Sequence, residues 1–182
     1  MKKIFVGCLL FMTALTVVSA EETAASVILN NFGARSYAQG TIPRADLDKI
    51  VSAGVRAPSA GNRQPWRFTV VTDPQLAKKI MNDAPNGNVF IIVSTDSSSR
   101  DALFDCALAA ENIYLAAQAL GYGSRIYASP LNTVNNSLKN ELGIQPQCNA
   151  VAVIRVGRLA PNVDAVSSAS SRKPAGETVT YK

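Results

Sequence analysis

The apolar positions of this chain change period several times, and each change marks an element. Val27, Ile28 and Phe32 form a stripe on a short helix predicted from Glu21 to Asn31, which Gly33 ends. Pro43 opens a second helix, with Leu47, Ile50, Val51 and Val55 on one face and Arg44, Asp46, Asp48 and Lys49 on the other. Trp66 to Thr72 reads as a buried strand. Asp73-Pro74 caps a third helix through Met81. Pro85-Asn-Gly-Asn88 is a turn, and Val89 to Ser94 is apolar enough for a central strand.

Asp101 to Leu120 predicts the longest helix. It is rich in alanine and apolar on almost every face, interrupted by Asp101, Asp105, Glu111, Asn112 and Gln118. A helix apolar all round is buried all round, and in a domain this small a second subunit is expected to cover part of it. Gly121-Tyr-Gly123 ends it in a tight turn. A strand from Arg125 to Ala128, a helix from Thr133 to Leu142 and a strand from Ala150 to Val156 follow. Helices and strands alternate irregularly, which predicts an α+β fold with a mixed sheet instead of repeated βαβ units. Residues 159–171 read as an extended linker, and Glu177 to Tyr181 has strand character. A strand beyond a linker is suited to reach onto a partner subunit.

The length of 182 residues suits one domain with a real core. At the N-terminus, Lys2 and Lys3 precede an apolar run from Ile4 to Val18, and Val18-Ser-Ala20 stands before Glu21-Glu22. That pattern predicts a signal peptide over 1–20, a mature domain over 21–182 and an exported protein, periplasmic or secreted. The run is short for a membrane anchor, so no stable insertion is expected after cleavage. Removing it takes two lysines, leaving 16 Lys+Arg against 13 Asp+Glu and a net charge of +3. No basic run is interleaved with aromatics, so nucleic acid is not an expected partner. The modest excess suits a local anion instead.

The chain has no histidine. Ser-His and Cys-His catalysis and imidazole metal sites are thereby excluded. The cysteines of the mature chain, Cys106 and Cys148, leave a disulfide open in an exported protein, but their apolar contexts favour two buried thiols. No Cys-x-x-Cys pair supports a metal site. Hard chemistry must come from a cofactor or from carboxylates.

The densest chemistry is Arg56-Ala-Pro-Ser-Ala-Gly-Asn-Arg-Gln-Pro-Trp-Arg67. Pro58, Gly61 and Pro65 make it a loop, and the strand after it anchors it. Ser59, Asn62, Gln64 and three guanidiniums can together meet a flat, polar, anionic ligand. Bonds from Ser59 and Asn62 to their own backbone are the plainer alternative.

Gly33-Ala-Arg-Ser36 lies upstream of this loop, with Asp105 to Ser124 and Arg172-Lys-Pro-Ala-Gly-Glu-Thr-Val179 downstream. In this order and spacing the chain resembles the nitroreductase-like flavoproteins from about Ser26 to Lys182. The resemblance implies a mixed central sheet flanked by helices, in an intertwined homodimer whose C-terminal segments cross over, here 159–182. It implies FMN as cofactor and NADH or NADPH as possible electron donor. The expected activity is ping-pong, two-electron reduction of a small nitroaromatic, quinone or related acceptor, with the chemistry at flavin N5 and no catalytic side chain.

By the same resemblance, Arg35 and Ser36 meet the phosphate, and Arg172 and Lys173 close over it. Pro58, Ser59, Ala60 and Asn62, with Gln64 beside them, face the ring, and Gly121, Gly123 and Ser124 pass its other edge. Trp66 is expected in the core. Two features depart from the family. Ala38 stands where relatives carry a second phosphate arginine, and only one short helix separates the first two strands, which leaves the pocket less covered. The alternative is a flavin-binding or interaction protein of this fold with little or no turnover.

Overall fold

The computed structural model describes residues 24–161 and 171–182. The expected signal peptide and most of the expected linker lie outside the described residues. One sheet contains β1 (Arg67–Val71), β2 (Val89–Thr95), β3 (Gly123–Tyr127) and β4 (Asn149–Gly157), in the order β1-β2-β4-β3. The most apolar runs take the centre: β2 is buried at all seven positions. Every neighbouring pair among these strands is antiparallel.

The helices are α1 (Ala24–Asn30), α2 (Arg44–Val55), α3 (Pro74–Ile80), α4 (Arg100–Ala119), α5 (Leu131–Thr133) and α6 (Ala175–Thr178). Successive strand residues point to opposite faces, so the sheet carries two cores. Leu47 and Ile50 of α2, with Cys106, Ala109 and Ile113 of α4, pack on Ile91, Val93 and Ile154. Ala77 and Ile80 of α3, with Val134 and Leu138, pack on Phe90, Ile92 and Val153. The fold is α+β. Cys106 belongs to the first core and Cys148 to the second, and both are free, buried thiols. Burial, with Asp105 adding to it, pushes the Cys106 thiol up to about 11.

The α4 helix organises the site. The Ser99 hydroxyl caps it by accepting from the Ala102 amide at 3.2 Å. Its 20 residues span about 30 Å. The α2 helix lies against it at Gly54, where an added Cβ would stand 2.7 Å from Ile113 Cδ1.

Several expectations are corrected. Gly54, not Val55, completes the buried face of α2, and Val55 is 48% exposed. Gly54 lies four residues from Ile50, one helical turn along the same face. Ile28 is outside the α1 stripe at 54% exposed. The helix expected from Thr133 to Leu142 is instead α5 running into a π-helical turn, Val134–Leu138. Asn135 disturbs it by bonding both the N–H and the C=O of Ala150, at 2.8 and 3.0 Å. Glu177 to Tyr181 contains no strand in the single chain: α6 covers Ala175–Thr178, and Val179 after it is extended but unpaired among the described residues. A strand needs a neighbour, and none of the described residues pairs with this segment.

Candidate functional site

The loop between α2 and β1 folds into a tight left-handed bend. A 3-10 turn covers Ala60–Asn62, and Gly61, Asn62 and Gln64 have φ of 58, 54 and 48°. Non-glycine residues in this region cost about 1–2 kcal/mol each, less for asparagine. Other bonds hold the bend. The Gln64 amide donates to Ser59 Oγ at 3.0 Å, and Gln64 Nε2 donates to Asn62 Oδ1 at 3.1 Å. The Ala60 amide donates to both oxygens of Asp105, each at 3.2 Å. Asp105 is buried on α4, so the loop is pinned to the 20-residue helix. Trp66 is buried as expected and stacks on Phe68, ring centres 6.4 Å apart.

Pro58, Ser59 and Ala60 form one wall of an open cavity of about 410 Å³. Arg100, Phe104, Asp105 and Leu108 of α4 form the other. Phe104 is 64% exposed. Pro58, Asn62 and Gln64 are exposed, and Ser59 and Ala60 half-buried.

The second group of expected site residues lies at the other end of α4. Gln118 donates to the Phe32 carbonyl and accepts from its amide, both at 3.2 Å, and also donates to Ser124 Oγ at 3.1 Å. The Ala34 amide donates to the Ser124 carbonyl at 3.0 Å. Arg35 and Ser36 follow, both exposed. The chain then pairs with the end of β4: the Ala38 amide donates to the Arg158 carbonyl at 2.9 Å, and Tyr37 bridges Leu159. Gly121 occupies the turn at φ 80°, whereas Gly123 is in β3. An added Cβ at Gly123 would stand 2.6 Å from Leu159 and 3.0 Å from Ala34. Glycine there lets the 34–36 segment approach.

Arg172 and Lys173 are exposed. The field of Arg172, with that of Arg125, acts on the Tyr114 hydroxyl and partly offsets the burial that pushes it up.

The two groups are anchored toward opposite ends of α4. Asp105 and Gln118 are thirteen residues apart on α4, about 20 Å along its axis. Four contributors were missed as site residues in the sequence. Asp105 anchors the loop, Phe104 fronts the cavity, Gln118 holds the 32–34 segment and Arg125 lies beside it. The first and third had a visible signal, a polar side chain inside an alanine-rich helix. Among the described residues no cluster of His, Cys, Asp and Glu is fit to hold a metal, and no helix is long and apolar enough to cross a membrane.

The profile of the Nitroreductase family matches residues 34–88 and 80–158. Over 149 residues the chain is 34% identical to the "Putative NADH dehydrogenase/NAD(P)H nitroreductase" of Archaeoglobus fulgidus, spanning 75% of this chain and 85% of that one. Among solved structures, the "putative nitroreductase in complex with FMN" of Desulfovibrio desulfuricans superimposes with a TM-score of 0.73 at 26% identity, covering 87% of this chain and 95% of that one. A nitroreductase family protein of Clostridium novyi NT gives 0.64 at 26% identity, covering 80% and 90%.

Proposed function

The chain belongs to the nitroreductase family, and on that premise we propose that it is an exported FMN-dependent oxidoreductase that passes two electrons to a small nitroaromatic, quinone or related acceptor. The observation that carries the reading is the left-handed Ser59–Gln64 bend, held against its strain and opening onto a cavity. Strain held in place in this way is characteristic of ligand-binding loops.

The residues fit FMN. Arg35 is an exposed guanidinium with no ion pair among the described residues, next to the Ser36 hydroxyl. The pair suits a phosphate, and the field of Arg172 reaches Tyr114 on α4. Gln64 occupies Asn62 Oδ1, which leaves Asn62 Nδ2 as an amide donor toward a ring carbonyl. Bound FMN supplies the two-electron redox chemistry. The protein binds the phosphate, orients the ring and leaves one face open for NADH or NADPH and for the acceptor.

The 20 Å between the two groups supports a homodimer in which one chain's loop faces its partner's Arg35 segment. An apolar stripe supports it too. Leu103 and Phe104 are 43% and 64% exposed, and an open groove of about 500 Å³ runs past Ala107, Ile126 and Val151. The leader-like Lys2 to Ala20 supports export.

The absorbance spectrum of the purified protein, with FMN titration, tests the cofactor: a colourless protein that takes up no FMN defeats the reading. Ala38 favours the alternative of a flavin-binding protein without turnover. Steady-state assays with NADH, NADPH and an artificial reductant against a nitroaromatic and a quinone separate the two. Extracellular fractionation of the expressed full chain tests export.

A further inference from the structure

We propose that Arg125 is the second phosphate cation of this chain, standing in for the arginine that Ala38 lacks; this rests on the FMN reading above. Ala38 offers only a methyl group, and its backbone is committed to Arg158. The position cannot supply charge. Arg125 comes to the same segment from the other side, on the edge strand β3. Its side chain runs along Gly33, where an added Cβ would stand 3.6 to 3.8 Å from Arg125 Cγ, Cδ and Nε. Gly33 is two residues before Arg35. The same strand fixes the backbone there through the Ala34–Ser124 hydrogen bond.

The guanidinium is held in place but not neutralised. It lies over the Tyr127 ring, 5.1 Å from its centre. It makes no ion pair among the described residues. Its register partner on β4 is another arginine, Arg155. Like charges directly opposite destabilise a sheet pair. Arg155 is answered by Asp83 at 3.4 Å, by Asn88 at 2.7 Å and by the Tyr37 ring at 4.2 Å. Among the described residues Arg125 has the Tyr127 ring and no carboxylate, so an anion at this edge would relieve the repulsion. The Gly33 contact and the Ala34–Ser124 bond set Arg125 beside the segment that leads into Arg35, and its field reaches Tyr37 and Tyr114.

FMN and riboflavin differ only in the phosphate, so paired titrations isolate this role. In fluorescence titrations of the full chain, Arg125→Ala should weaken FMN about ten- to a hundredfold, the range for one charge-assisted partner. Riboflavin affinity should change less than about twofold. Arg125→Gln, which keeps most of the length and the planar end, should behave alike and guards against a folding failure. Adding Ala38→Arg to Arg125→Ala should recover most of the FMN preference, a rescue that a merely structural role would not give. Equal losses for both flavins, or unchanged FMN affinity, would overturn the assignment while leaving the FMN reading intact. A wild-type chain that binds neither flavin overturns both.

Discussion

Asn62 bears both strain and chemistry, and a glycine substitution separates them. Asn62→Gly relieves a left-handed side chain but frees the unfolded backbone by about 0.5–1 kcal/mol, so the terms nearly cancel. The melting temperature should stay within a few degrees while flavin affinity falls, as calorimetry and titration would register. A second residue-scale prediction concerns pH. Tyr122 donates to Asp46 Oδ2 at 2.7 Å and, with Lys49, holds that carboxyl below its ordinary 3.8. The folded state thus binds this proton less tightly than the unfolded state. The stabilisation is present above about pH 4 and is lost as pH falls through the lowered value. Tyr122→Phe should lower the melting temperature at neutral pH, and the gap should narrow near pH 2; a gap that is constant across that range refutes the linkage. At this scale the sequence named the loop residues but not what holds them. The bonds from Gln64 to Ser59 and from Ala60 to Asp105 join residues 5 and 45 positions apart, and no periodicity reports such contacts.

Among the elements, the strands were the most legible, because β2 and β4 carry apolar residues on both faces and so appear as runs, Val89–Val93 and Ala150–Ile154. The failures came where a side chain competes with the helix or where a small residue substitutes for a large one. Asn135, in the π turn that replaces the expected helix, spends its side chain on the backbone of β4. Gly54 fills a buried position by having no side chain, which a search for apolar faces overlooks. Gly123 gives the element-scale prediction. Gly123→Ala would drive a methyl group into Leu159 and Ala34, and overpacking of this kind costs about 1–3 kcal/mol. The displaced part is the 34–36 segment, so FMN should weaken more than riboflavin. Denaturant melts and paired titrations check this, and an Ala variant as stable and as FMN-selective as wild type would show that the segment does not need this approach.

For the whole molecule, the question is what completes a site whose halves lie at opposite ends of α4. The apolar character of α4 was visible in the sequence; that its uncovered stripe adjoins the loop was not, because that depends on which face the sheet takes. Leu103 and Phe104 are left out of both cores, and Phe104 also walls the cavity beside Ser59. If a second copy covers this stripe, its loss should cost the dimer and the flavin together. Phe104→Glu places a charge where an apolar contact is expected, yet in the isolated chain that side chain is mostly in water. The variant should therefore fold, run as a monomer in light scattering and lose most of its flavin. Deleting Arg172 to Lys182 should also weaken both properties, since it removes Arg172, Lys173 and the extended Val179. Phe104→Glu that remains a flavin-loaded dimer would place the subunit contact on another face. A wild-type chain that is a stable, flavin-loaded monomer would mean that one chain closes the 20 Å between its two halves by itself.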